Sequence, residues 1–277
     1  MTSNQSVLTE DAPLDLRLST AELEATKDHL SAFVRDIVDE AGAEGVVIGL
    51  SGGIDSTTAA YLAVEALGSD RVHGLVMPSV VNTDESMNDA EWVAQELEIE
   101  YDVVEIQPIA EAFFDVLSDA ADDRRAAGNV YVRTRAVLCY FLANHENRLV
   151  LGTGNRSEAL TGYFTKYGDQ AVDCNPLGNL YKQQVRQLAA SLGVPDELVM
   201  KTPSAEMWLG QTDETEMGFD YDTLDAILAL HVDGPLSKAA TVRHLDVGDA
   251  AVERVVELHE QSAHKRQMPP APEPLHR

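Results

Sequence analysis

Gly45-Val-Val-Ile-Gly-Leu-Ser-Gly-Gly-Ile-Asp-Ser56 decides how this chain folds. Its first six residues form a short continuous apolar run, as expected of a parallel strand buried on both faces. Ser51-Gly-Gly-Ile-Asp-Ser56 follows as a glycine turn, and an alanine-rich helix is predicted from there through about Leu67. Gly52 and Gly53 let the backbone turn sharply and approach a ligand with no Cβ in the way. The helix then offers unpaired N–H groups and the positive end of its dipole, a ready anion seat. Ser51 and Ser56 add hydroxyl donors. The Gly-Lys-[Ser/Thr] ending of a Walker loop is absent, and so is the G-x-G-x-x-G of dinucleotide-binding turns. Asp55 is the unexpected member. A carboxylate aimed at phosphates repels them unless a divalent cation lies between, so Asp55 implies Mg²⁺ held against a pyrophosphate group. For a lone Gly-Gly pair the alternative is an ordinary strand-to-helix turn, with glycine for geometry and serine for capping.

Further strands are predicted at Arg71–Met77, Tyr101–Ile106 and Asn147–Gly152, with helices between them near 88–97, 108–121 and 129–145. Upstream, Thr20 reads as the cap of a helix with apolar residues at Leu23, Leu30, Phe33, Val34, Ile37 and Val38, ended by Gly42 and Gly45. Strands alternating with helices argue for an α/β fold: a doubly wound parallel sheet with helices on both faces. Beyond residue 160 the strand signal fades. Helices are expected at Tyr181–Leu192, Tyr221–Leu230 and Val247–His264, and Ser204–Met217 reads as a polar, mobile loop. Residues 1–18 read as a flexible leader, 19–267 as a single catalytic domain and 268–277 as a proline-rich tail.

The chain has 277 residues and a formal net charge of −27, from 20 Lys and Arg against 47 Asp and Glu. A field of that sign disfavours partnership with nucleic acid or an anionic membrane. No apolar run is long enough to cross a bilayer, and the first thirty residues lack the apolar core of a secretory signal. A cytoplasmic enzyme or binding protein is expected. Cys139 and Cys174 are too few for a disulfide scaffold and carry no nucleophile signature; Cys139 reads as a small core residue. Acids spread along the whole chain, with six lysines in all, suggest a halophilic protein. An anion site on such a chain must concentrate its few cations, and Lys166, Lys182 and Lys201 fall in one stretch.

The glycine turn resembles the PP-loop of the ATP pyrophosphatases, which release pyrophosphate and leave an adenylylated intermediate. The second half narrows the family. Leu149-Val-Leu-Gly-Thr-Gly-Asn-Arg-Ser-Glu158 is followed by Thr161-Gly-Tyr-Phe-Thr-Lys-Tyr-Gly-Asp169, Asp173, Pro176-Leu-Gly-Asn-Leu-Tyr-Lys182, Lys201-Thr-Pro-Ser204, Gly210-Gln-Thr-Asp-Glu214 and His264-Lys-Arg266. In this order the motifs resemble those of the NAD synthetases over roughly residues 20–270. The resemblance implies an adenine nucleotide alpha hydrolase-like fold and an ATP- and Mg²⁺-dependent ligase that amidates deamido-NAD, working as a homodimer. It implies that Gly49, Ser51, Gly52, Gly53, Ile54, Asp55 and Ser56 hold ATP with Thr153, Lys182 and Ser204, and that Asp55 and Glu158 bind the metal. It implies deamido-NAD contacts at Arg133, Lys166, Asp173, His264 and Lys265, and catalytic work for Asp55, Asp173 and Lys182. Pro78–Ser86 and Ser204–Met217 match the family's two closing loops.

Tyr131, where the family often has a basic residue, and Gln170-Ala171, where it has a glycine pair, depart from the pattern. Taken singly, these residues have plainer uses: Glu158 as a first-turn acid, and His264-Lys-Arg266 as a complement to a helix C-terminus. Arg133 and Arg135 could equally form ion pairs with nearby acids. Free ammonia is the expected nitrogen donor, because no glutamine-hydrolysing segment is recognised. Another PP-loop ATP pyrophosphatase, or a non-catalytic nucleotide-binding module on the same sheet, is the alternative.

Overall fold

The computed structural model describes residues 14–80, 82–204, 208, 211–273 and 275. Most of the leader, parts of the 204–217 segment and the last residues of the tail therefore lie outside the described residues. Helix α1 (Thr20–Ala41) begins one residue before the reading placed it. Ser19 is the cap, and it closes a capping box with Glu22. At the other end Gly42 takes the left-handed conformation (φ 63°) and its N–H closes the last turn.

Strand β1 (Gly45–Leu50), helix α2 (Ile54–Leu67) and strand β2 (Val72–Val76) follow the sequence reading closely. Helix α3 (Asp84–Glu96) starts earlier than expected, because Thr83 accepts from the Ser86 N–H as its cap. Then come β3 (Glu100–Val103), α4 (Gln107–Val116), α5 (Ser118–Ala121), α6 (Arg124–Glu146) and β4 (Arg148–Leu151).

The four strands are parallel in the order β3-β2-β1-β4. Side chains alternate across β1. Val46, Ile48 and Leu50 join a core with α1 and α2, while Val47 faces a second core with Ala110 of α4 and Cys139 of α6. Helices therefore cover both faces, as expected. Ala59, Ala60 and Ala63 of α2 are fully buried, so small side chains let this helix lie close to the sheet. The strand order reverses between β1 and β4, and in open α/β sheets such a switch point opens a crevice at the carboxyl ends.

Helices α7 (Arg156–Thr161), α8 (Lys182–Ser191) and α9 (Asp196–Val199) continue the chain. The 204–217 segment is not loop throughout: Thr212 caps a short helix, α10 (Asp213–Met217). Acids at Asp213 and Glu214 in its first turn favour the helix. Helix α11 (Tyr221–Ile227) passes into a π-helical turn at Leu228–Val232, and α12 (Lys238–Leu245) and α13 (Asp249–Gln261) end the fold. Tyr221, Leu224, Val252 and Val255 build a third core from these C-terminal helices. Leu16 packs against this core, its carbonyl accepts from Gln184 Nε2, and the Leu18 N–H donates to Gln187 Oε1 at 2.8 Å. Leu16 and Leu18, within the segment read as a leader, are thus in contact with α8. Among the described residues no helix is long and apolar enough to cross a membrane.

The surplus of acids has a measurable consequence. Transfer from molar salt to about 0.01 M lengthens the Debye length from about 3 Å to about 30 Å. Repulsion among the acids then reaches across the molecule and weakens the compact state. Far-ultraviolet circular dichroism is expected to show loss of helix at low salt and recovery on adding KCl; a protein equally folded at both ends would refute the halophilic reading.

Candidate active site

A cavity of about 1150 Å³ opens beyond β1 and β4. Among the described residues, nine Lys and Arg line it against five Asp and Glu, in a chain with 20 of the first and 47 of the second. The charge is therefore inverted where the sequence required it. Lys166, Lys182 and Lys201 all face this space.

At the β1 end, Ser51, Gly53, Ile54, Asp55 and Ser56 form the wall, with Gly49 behind them. Ser51 Oγ and Ser56 Oγ are 3.1 Å apart, and the Gly53 N–H donates to Ser51 Oγ at 3.2 Å. Gly52 is not part of the wall. It adopts φ 72°, and a Cβ there would collide with the Ser86 carbonyl, so only glycine fits. Thr153 and Ser204 line the same space.

Asp55 and Glu158 meet at one ammonium. Lys182 Nζ donates to Asp55 Oδ2 and lies 3.5 Å from Glu158 Oε1. Asn155 links the two acids from the side: its Nδ2 donates to Asp55 Oδ1 at 2.9 Å, and its Oδ1 accepts from the Glu158 N–H at 3.0 Å. Helix α7 is capped by that same residue in a capping box, so the first-turn use of Glu158 and its place in the site coexist.

Lys182 is only 2 % exposed and sits over the Tyr221 ring at 5.1 Å. Burial alone would push its ammonium down, but Asp55, Glu158 and Asp213 outweigh it and hold the lysine above its ordinary value. Burial, and then the Asp55 charge, pushes Glu158 well above the usual carboxylate range. Asp213 is also raised by burial, and its Oδ2 accepts from the Tyr221 hydroxyl at 2.8 Å.

Three residues here escaped the sequence reading. Asp213 and Tyr221 come from the C-terminal helices. The third, Asp225, is fully buried and accepts from Ser157 Oγ at 2.5 Å and from the Gln183 N–H at 3.0 Å. It thereby ties α7 to α8, and burial pushes it up to about 6. Asp213 stands inside the 210–214 motif but was given no role there, and nothing local in the sequence marks Tyr221 or Asp225. Asn155 did carry a legible signal, the N-x-x-E spacing of a capping box.

Crowded carboxylates around a single cation form an electron-rich centre that suits Mg²⁺, an ion held by one or two carboxylates together with substrate phosphates. Among the described residues no three His, Cys, Asp or Glu side chains form a closed metal cage.

A second group of cavity-lining residues is Arg133, Lys166, His264 and Lys265. Arg133 Nη2 donates to the Lys166 carbonyl at 3.1 Å, and Lys166 Nζ donates to the His264 carbonyl at 2.6 Å. Lys265 Nζ donates to the carbonyls of Gly162 and Phe164 at 2.8 and 2.7 Å. Arg266 donates to Ala159 and Leu160 near the end of α7, which is the helix-terminus use considered for this motif. Arg135 donates to the Met77 carbonyl at 3.1 Å, to Ser79 Oγ and to Asn82 Oδ1.

Asp173 stands apart from this group. It does not line the cavity; its Oδ2 accepts from the Val150 N–H at 2.7 Å and its Oδ1 from the Tyr140 hydroxyl at 3.2 Å. Burial pushes the Cys139 and Cys174 thiols up to about 12 and about 11, the wrong direction for nucleophiles.

Comparison with known proteins agrees with the geometry. The family model for NAD synthase matches residues 26–269. The NH3-dependent NAD(+) synthetase of Halobacterium salinarum is 61 % identical over 94 % of this chain and 97 % of its own length. That of Thermococcus kodakarensis is 48 % identical over 90 % of this chain and 97 % of its own. Among solved structures, the NMN synthetase of Francisella tularensis superposes with a TM-score of 0.81 at 38 % identity, covering 92 % of this chain and 99 % of that one. The NH3-dependent NAD synthetase of Campylobacter jejuni gives 0.75 at 30 % identity, covering 91 % and 99 %. With a glycine turn at the switch point, a carboxylate pair on one lysine and a family match along almost its whole length, this chain belongs to the NAD synthase family.

Proposed function

We propose that this protein catalyses the ATP-dependent amidation of deamido-NAD with ammonia, giving NAD⁺, AMP and pyrophosphate. One observation carries the reading: a phosphate-type turn with its acids and a separate cluster of basic side chains line one cationic cavity. That arrangement suits two anionic nucleotides held end to end.

ATP takes the β1 end. Ser51–Ser56 and the first turn of α2 offer backbone N–H groups and hydroxyls to its phosphates. Thr153, Lys182 and Ser204 border the same space. Asp55 and Glu158 would hold Mg²⁺. When bound, that ion neutralises the pyrophosphate as it leaves. Lys182 stays protonated against three acids, so it supplies a fixed positive charge rather than a proton. Arg133, Lys166, His264 and Lys265 hold deamido-NAD and bring its pyridine carboxylate to the α-phosphorus of ATP. That carboxylate becomes an acyl adenylate, and ammonia then displaces AMP. Catalysis is positioning and charge stabilisation, with no protein nucleophile. Asp173, for which the family pattern suggests a role with ammonium, would need to turn from Val150 to reach the cavity. Residues 19–267 act as one catalytic unit, because the C-terminal helices supply Asp213 and Tyr221 to the same site.

Incubation at high salt with Mg-ATP, ammonium and either deamido-NAD or nicotinate mononucleotide tests this reading. AMP and pyrophosphate are expected in equal amounts, dependent on deamido-NAD. ADP as product, or a clear preference for the mononucleotide, would refute it.

The same helix that carries Arg133 exposes apolar side chains further along. Val137 and Phe141 of α6 stand out of the surface, Phe141 at 75 % exposure, and Phe113 of α4 is exposed as well. A second copy of the chain covering this face accounts for their exposure, and the homodimer would then border the deamido-NAD end. Phe141→Glu is expected to move the protein from dimer to monomer in size-exclusion chromatography with light scattering. An unchanged dimer would place the contact elsewhere.

A further inference from the structure

Lys201 lines the cavity, yet the reaction outlined above leaves it without a task. Its Nζ donates to Asp89 Oδ2 at 2.6 Å, to Ser86 Oγ at 3.3 Å and to the Gly52 carbonyl at 3.3 Å. An ammonium has three N–H donors, and three acceptors surround this one. Lys201 is therefore committed to protein atoms and keeps no donor for a phosphate. Asp89 and Ser86 belong to α3, while Gly52 belongs to the glycine turn. The turn and α3 are in close contact there, since a Cβ on Gly52 would meet the Ser86 carbonyl.

The Gly52 carbonyl and the Gly53 N–H belong to one peptide unit. That unit is planar and trans, so its oxygen and its N–H point in opposite directions. With glycine on both sides it meets little steric resistance to rotation. An oxygen held against Lys201 leaves the N–H facing the other way, toward Ser51 Oγ at 3.2 Å and the cavity wall that both residues form. A rotated unit would instead present a carbonyl oxygen to an incoming phosphate, which repels it.

We propose that Lys201, anchored by Asp89, is a positioning residue that locks the Gly52–Gly53 peptide with its N–H turned toward the triphosphate of ATP. This rests on the reading that the glycine turn seats the ATP phosphates. Lys201 acts on the loop from behind and never touches the nucleotide. Its effect is expected on ATP, because its hydrogen bonds go to the glycine turn and α3 and none goes to Arg133, Lys166, His264 or Lys265.

The test uses the full-length protein at high salt, with Lys201→Met, Lys201→Arg, Asp89→Asn and, as a control within the turn, Ser56→Ala. Two quantities are read: KM for MgATP and for deamido-NAD, varied separately, and the Gly53 amide resonance in the ligand-free protein. Loss of a hydrogen bond from a charged donor is worth roughly a tenfold or greater change. Lys201→Met is expected to raise KM for MgATP by about tenfold or more, leave KM for deamido-NAD in place and shift the Gly53 resonance. Lys201→Arg, which can still donate to the carbonyl, restores both. Asp89→Asn, which keeps the lysine but releases its anchor, moves both the same way by less. An unmoved KM for MgATP, or equal rises for both substrates, overturns the proposal. A raised KM for MgATP with the Gly53 resonance unchanged also overturns it, because Lys201 would then be acting on the phosphates directly. Should Ser56→Ala leave KM for MgATP untouched, the seat of ATP itself is elsewhere, and the Gly53 resonance alone then decides whether Lys201 holds the peptide.

Discussion

Asp55→Asn and Glu158→Gln should each lower kcat/KM by about a thousandfold or more, an effect on the scale of losing several kcal/mol of charge stabilisation in the transition state. Both changes preserve shape, and neither leaves a buried charge without a partner. Asp55 keeps its neighbour Asn155, and Glu158 keeps its place in the α7 cap. The loss should therefore appear in turnover and not in the fold. Steady-state rates against magnesium concentration, beside thermal unfolding of the same samples, separate the two. If Asp55 and Glu158 share the ion, the double variant should be little worse than either single one, because groups that act as a unit are non-additive. Near-normal rates in either single variant would remove the carboxylate pair from the mechanism.

Lys182→Met should be the most damaging single substitution for stability, costing about 3–5 kcal/mol near neutral pH. The lysine is almost fully buried and is the positive charge set among Asp55, Glu158 and Asp213. Removing it leaves carboxylates that water cannot reach freely and no cation to oppose them. The pH dependence has a definite sign. Lys182 has a raised pKa in the folded state, so its stabilising contribution is complete below the ordinary lysine range and is lost only as the pH rises through the higher folded value. Glu158 is also raised, so the folded state binds its proton more tightly than the unfolded chain does. In Lys182→Met the acids should therefore take up protons readily, and the gap to wild type should narrow as the pH falls toward 5. Added magnesium should narrow it as well. Denaturant melts at high salt, with and without Mg²⁺ at two pH values, check this; a deficit that ignores both proton and metal would point to lost packing over Tyr221 instead.

How much of this was readable from the chain depends on how local each feature is. The run Gly45–Leu50 could hardly be anything but a buried strand, and the glycine turn with its helix followed from adjacent residues. Asp55 carried its own signal, a carboxylate where phosphates were expected. Glu158 and Lys182 became legible through the order of motifs, and the structure brings them onto one point although 127 positions separate Asp55 from Lys182. Asp213 stood in a motif without a role, and Tyr221 and Asp225 went unmarked, because each earns its place only by tertiary contact, and an acid in a helical first turn reads as ordinary solvated charge. The opposite error was made for α10. A polar, glycine-containing stretch suggested a loop, whereas the Thr212 cap and the acids behind it were enough to wind a turn of helix. Asp173 shows the limit of carrying a role over by position, since a motif fixes where a residue stands along the chain but not which way its side chain turns.

The ammonium beneath the glycine turn draws on parts of the chain made early and late in synthesis. Asp55 leaves the ribosome long before Lys182, and Tyr221 arrives later still. A growing polypeptide that has completed its sheet but not its last helices holds the turn without the residues that organise it. If the proposed site is right, turnover of ATP awaits the docking of the C-terminal helices.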